Sequence, residues 1–100
     1  MTKISIINEN GLHSITADGH AEGSETLCAA ISTIMQMLVG WLNNAEEHLK
    51  ETAVTLISDG YCKVIAKGDA CLDAVFEAAE IGLRMLELTD PNKIKVFLSK

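Results

Sequence analysis

The chain is 100 residues long, 48% of them hydrophobic, with a formal charge of −6. That apolar content in so short a chain fits one compact core, so residues 1–100 are expected to form a single domain and disorder is excluded. The acidic balance argues against a nucleic-acid backbone or an anionic membrane as main partner, because both demand a positive surface.

Lys3 to Asn8 alternates, with Ile4 and Ile6 on one side and Lys3 and Ser5 on the other, which predicts a half-buried strand. Asn10-Gly11 supplies a tight hairpin turn. Leu12 to Asp18 is the returning strand, with His13, Ile15 and Ala17 competing against Leu12, Ser14 and Thr16 for the inner face. The chain then passes through Gly19-His20-Ala21-Glu22-Gly23-Ser24 into a helix. There Leu27, Ile31, Ile34, Leu38 and Leu42 recur at steps of three and four, the spacing of one buried stripe. Ser24 or Thr26 caps its start, Glu25 suits the positive end of the helix dipole, and the helix is expected to run to about His48. Thr26 to Ala45 carries no formal charge over 20 residues, roughly the length of a membrane span. Ser32, Thr33, Gln36, Asn43 and Asn44 interrupt that stretch and strands flank it, so a buried amphipathic helix is expected instead. Met35, Met37 and Trp41 add more apolar surface than one stripe needs, which predicts core packing or a homodimer contact on this helix.

Thr52 to Ser58 and Tyr61 to Lys67 are two further strands joined by Asp59-Gly60, again a hairpin signal. Asp69 caps a second helix with the stripe Leu72, Val75, Phe76, Ala79, Leu83 and Leu86, while Glu77, Glu80, Arg84 and Glu87 stay in water. Asp90-Pro91-Asn92 stops it, and Lys93 to Ser99 alternates as a closing strand. The order β-β-α-β-β-α-β, rich in hairpins, predicts an α+β two-layer sandwich: one mostly antiparallel sheet with two helices on one face.

No basic segment followed by an apolar run marks a secretory signal, and three cysteines (Cys28, Cys62, Cys71) form no C-x-x-C pair. A reduced, cytoplasmic protein without disulfides is therefore expected. Three histidines and three cysteines make no ligand cluster of known spacing, so neither metal nor cofactor is expected.

The informative stretch places His20 just after a strand and Cys28 in the first turn of a long helix. Unpaired backbone N–H groups at a helix start favour a thiolate. A nearby imidazole takes the thiol proton and returns it to a leaving group. Ser32 lies one helical turn beyond Cys28 on the same face, and Gly19 and Gly23 let the backbone bend on either side of the loop. Spacing alone favours a plainer reading, with Cys28 a buried helix residue and His20 a solvated one. Cys71 also opens a helix, but two carboxylates flank it and no histidine adjoins it, so it reads as filler; Cys62 reads as core. His13, near a turn, and His48, near a helix end, read as structural or solvated.

The segments Gly19-His20-Ala21 and Cys28-Ala29-Ala30-Ile31-Ser32 shift that balance. Together they resemble the ribosomal-processing cysteine protease family, called Prp or YsxB-like. Its members carry a G-H-A element ending the second strand and a C-A-A-V-S-like element opening the first helix. The resemblance implies a cysteine endopeptidase that removes the N-terminal extension of a bacterial large-subunit ribosomal protein and needs no cofactor. It further implies His20 as catalytic histidine and Cys28 as nucleophile, with Gly19 and Ser32 in support. Direct contact with nucleic acid or membrane is not implied. The step between histidine and cysteine is several residues shorter than the family's, and Glu25 stands where the family has an aspartate. A rival reading is therefore a dimeric, ribosome-associated binding module that keeps the fold without turnover. The histidine and the thiol need not touch in the absence of substrate.

Overall fold

Two tight turns organise the sheet. At the first, Asn10 and Gly11 both take positive φ (52° and 81°), as a type I′ hairpin requires. This turn joins β1 (Thr2–Glu9) to β2 (Leu12–Asp18) in antiparallel register, with Ile6 opposite Ile15. The second turn, Asp59-Gly60, joins β3 (Val54–Ser58) to β4 (Tyr61–Lys67), but only Gly60 has positive φ there, so its geometry differs from the first. The structure, a computed structural model, describes residues 1–21 and 23–99; Glu22 in the loop after β2 and Lys100 lie outside the described residues.

The five strands lie in the order β3-β4-β2-β1-β5. Every pair is antiparallel except β1 with β5 (Ile94–Ser99), which run parallel with Thr2 opposite Ile94. The expected α+β sandwich is therefore the observed fold. Strand alternation sends Ile4, Ile6, Ile15, Ala17, Val64, Ala66 and Ile94 to one face, where all are buried. Both helices cover that face. From α1 (Glu25–Asn44) come Leu27, Ile31, Met35, Leu38 and Leu42; from α2 (Ala70–Thr89) come Leu72, Phe76, Ala79 and Leu83. These residues share one core cluster with the strands. Each fully buried large side chain stabilises the fold by about 1.5–3 kcal/mol relative to exposure.

Three expectations need correction. In α1, Met35 and not Ile34 occupies the buried stripe; Ile34 is half-buried at the contact with α2, its Cδ1 lying against Gly82. Met35 thus takes the core packing expected of it, and Trp41 stacks on His48 with ring centroids 5.7 Å apart, so Met37 remains as the exposed member. The helix also ends at Asn44, not His48. Asn44 turns its side-chain amide back to the Gly40 carbonyl (2.8 Å), and a short 3₁₀ turn, Glu46–His48, follows. That turn is held from outside: Asp69 N–H donates to the His48 carbonyl at 3.0 Å and Lys50 N–H to the Lys67 carbonyl at 2.8 Å. Finally, β3 begins at Val54 and is exposed along its whole length, because the helices stop short of this edge.

Candidate active site

The site forms where β2 runs out. Gly19 leaves the strand at φ +96°, donates its N–H to the Gly60 carbonyl (2.7 Å), and accepts from the Thr2 hydroxyl (3.3 Å). A Cβ here would lie 2.6 Å from the Met1 carbonyl oxygen, so glycine is required by space as well as by φ. The next residue, His20, projects outward with its side chain 60% exposed. Ala21 then buries its methyl completely and accepts from Ser24 N–H, folding the loop back toward α1.

Ser24 is the N-cap, its hydroxyl accepting from Leu27 N–H at 3.1 Å. Cys28 follows within the opening turn of the helix, its own N–H donating to the Ser24 carbonyl. Helical side chains lean toward the N-terminus, and the Cys28 thiol accordingly reaches back to the Ala21 carbonyl at 3.6 Å. Leu27 and Cys28 N–H groups are thus both committed to Ser24. Glu25 and Thr26 carry the preceding amides at the positive end of the helix.

His20 and Cys28 line one cleft of about 290 Å³ between the β2 end, the start of α1 and the β3–β4 turn. Both also border a second, more open concavity over Ser24 and Thr26, so the thiol and ring stand on a ridge reachable from two sides. Ser32 lines the first cleft one turn beyond Cys28. The ring does not hydrogen-bond the thiol in this state. It rests on Gly60, with Nε2 3.8 Å from Asp59 Oδ1. Asp59 is fully exposed, so that contact adds little stability.

Asp59, Gly60 and Tyr61 are site residues that sequence reading placed only in a hairpin. No local signal marks them; the register that sets Asp18 opposite Tyr61 brings their turn to His20. Cys62 faces the helix layer behind the cleft, and burial pushes its thiol pKa up, which disfavours reactivity. Cys71 is exposed at the start of α2. His13, near the opposite end of β2, bonds Asn8 Oδ1 and Asp73 Oδ1, each at 2.7 Å, and stacks on Phe76. Neither Cys71 nor His13 shares the cleft.

With that geometry in place, comparison with protein families is decisive: the model described as cysteine protease Prp matches residues 1–95. The chain belongs to the Prp cysteine protease family. Solved Prp-like structures share its fold. The S. aureus ribosomal processing protease Prp, bound to a covalently linked product peptide, superposes with a TM-score of 0.82 at 17% identity, covering 99% of this chain and 100% of that one. The same S. aureus protease with a substrate peptide gives 0.74 at 16% identity, covering 99% and 100%. SMU.848 from Streptococcus mutans gives 0.78 at 24% identity, covering 98% and 93%. No curated protein matches the chain.

Proposed function

We propose that this Prp-family cysteine protease acts through Cys28 and His20, and that it removes a short N-terminal extension from a large-subunit ribosomal protein in the cytoplasm. The observation that carries the reading is the shared cleft: a thiol in the opening turn of α1 and an exposed imidazole stand at its rim, open to an extended peptide. Membership of the family supports the chemistry. The S. aureus relative, a ribosomal processing protease, supports the substrate class.

In this mechanism His20 takes the Cys28 thiol proton, and the thiolate sulfur attacks the scissile carbonyl carbon. The tetrahedral oxyanion is met by amides at the start of α1, for which Glu25 and Thr26 are the candidates. The C–N bond then breaks as His20 returns the proton to the leaving amine, giving a thioester. Water, deprotonated by the same imidazole, releases the acid and restores the thiol. Gly19 supports the ring by fixing the exit from β2, and Ser32 supports bound substrate from the cleft wall. A ring that leans on Gly60 must swing toward Cys28 on binding; its exposure permits this.

The test is cleavage of a peptide spanning the extension and the first residues of the mature ribosomal protein. Cys28→Ser should abolish turnover with the fold intact, and His20→Ala should lower kcat by roughly 10²–10⁴ with little change in binding. Cys71→Ser should leave cleavage unchanged. Wild-type-like cleavage by Cys28→Ser would overturn the assignment, and no cleavage by the unmodified protein would favour the binding module.

A homodimer also belongs to this reading. Its support is exposed apolar surface on the helices: Met37 on α1, and Ile81, Met85 and Leu88 at steps of four and three along α2.

A further inference from the structure

Beyond the far end of α1 the fold brings His48 against two residues at the start of α2, Asp69 and Cys71. Donor atoms of His48, Asp69 and Cys71 all lie within 4.8 Å of one another. The first comes from the 3₁₀ turn after α1; the others open α2. Since α1 runs on from Cys28 to Asn44, its far end, where this cluster lies, is about 24 Å from Cys28 along the helix.

Each residue is held for a separate reason. Asp69 is the N-cap of α2: its Oδ1 accepts from the N–H groups of Cys71 (3.0 Å) and Leu72 (3.2 Å). That use leaves Oδ2 aimed at His48 Nδ1, 2.7 Å away. The His48 ring is stacked on Trp41, and its Nε2 faces Glu47 Oε1 at 3.6 Å. Beneath them the backbone is clamped by the Leu49–Gly68 bridge and by Asp69 N–H on the His48 carbonyl. The Cys71 side chain is exposed.

We propose that His48, Asp69 and Cys71 form a surface site for a thiophilic divalent cation of the Zn²⁺ class. A tetrahedral ion holds its donors at about 2.0–2.3 Å, so the donors stand roughly 3–4 Å apart. Rotation of Cys71 brings its sulfur inward, and the His48–Asp69 pair, now 2.7 Å apart, opens by about 0.5–1 Å to reach that spacing. The ion takes the place of the proton between His48 Nδ1 and Asp69 Oδ2. The ring keeps its one proton on Nε2, toward the Glu47 carboxylate, the outer partner that commonly orients a ligating histidine. Cys71 loses its thiol proton to solvent and binds as thiolate. Asp69 keeps its capping bonds through Oδ1, and water fills the fourth position. A thiolate with an imidazole selects Zn²⁺ or Co²⁺ over Mg²⁺ and Ca²⁺, which prefer oxygen-only shells. The ion would then staple the segment after α1 to the start of α2.

The experiment is a Co²⁺ titration of the chelator-stripped full chain carrying Cys28→Ser, which removes the cleft thiol as a rival ligand. We expect a sulfur-to-cobalt charge-transfer band that saturates at one ion per chain, is displaced by Zn²⁺, and is accompanied by quenching of Trp41, the single tryptophan. Adding Cys71→Ser should remove the band, and adding His48→Gln should weaken binding at least tenfold. Circular dichroism checks the fold of each variant, and the two probe the site from different segments should one fail to fold. No band in the Cys28→Ser protein, or an unchanged band after Cys71→Ser, overturns the site. Because the readout is spectroscopic, its failure leaves the protease assignment standing.

Discussion

The His20 ring lies so near Gly60 that a methyl group added there would come within 2.7 Å of Nε2, and Gly60 itself sits at φ +68°. Gly60→Ala therefore meets two costs. A left-handed backbone at a non-glycine residue costs roughly 1–2 kcal/mol, and the ring is displaced from its resting place. The expected outcome is a Tm lower by about 4–16 °C and a kcat reduced by about 10–100-fold, as misplaced catalytic groups give. Melting curves and steady-state kinetics on the same samples check it. His48 and Asp69 give a second expectation, tied to pH. The hydrogen bond to Asp69 raises the His48 pKa above 6.5, and the same bond lowers the Asp69 pKa below 3.8. The histidine's contribution is fully present below its unfolded pKa and is lost as pH rises through the raised folded value. The carboxylate's is present above its unfolded pKa and is lost as pH falls through the lowered one. The pair thus stabilises most between about pH 4 and 6.5. In chelator-containing buffer, the Tm difference between wild type and His48→Gln should be widest near pH 5 and narrower at pH 8 to 9.

The helices show how far periodicity can be read and where it stops. Leu38 is fully buried whereas Met37 beside it is about half exposed, a contrast set by angle around the helix. Leu38→Ala should destabilise by about 2–5 kcal/mol, and Met37→Ala by less than about 0.5 kcal/mol, measured by urea unfolding. The inward stripes (apart from Ile34, whose place Met35 takes), the two hairpins and the spans of β2 and β4 are legible because helical periodicity, strand alternation and turn residues are local signals. The end of α1 is not, because what stops it comes from the β4–α2 junction: Asp69 holds both the backbone and the ring of His48. Exposure of β3 is equally hidden, since Val54, Leu56 and Ile57 have the composition of a covered strand and lie uncovered at the edge. In the candidate site, positions 20 and 28 are singled out through the resemblance that their flanking residues carry, and both line the same cleft. Asp59, Gly60 and Tyr61 reach the cleft through strand register, which no short window of sequence contains.

Across the whole chain, apolar side chains left outside the core concentrate on the outer helix faces and at the sheet margins. If α2 pairs two copies, light scattering at rising concentration should report a dimer, and Met85→Glu with Leu88→Glu should return a folded monomer. A wild-type monomer throughout the range would count against pairing. The acidic charge of −6 suits a basic ribosomal substrate at the encounter stage, and the attraction should weaken as salt rises.

The parallel pairing of β5 with β1 bears on the order in which this protein is built. Strands β1, β2, β3 and β4 can be laid side by side by hairpins and one crossover while the ribosome is still adding α2. Thr2, however, finds its neighbour Ile94 only after everything between them has been synthesised. Until then Ile4 and Ile6 sit on an unpaired margin, and Thr2 N–H, which flanks the cleft, lacks the Lys93 carbonyl that fixes it at 2.9 Å. Closing so large a loop is the slow part of folding. The margin of the cleft at Thr2 therefore depends on β5, and it is anchored only once that strand has paired.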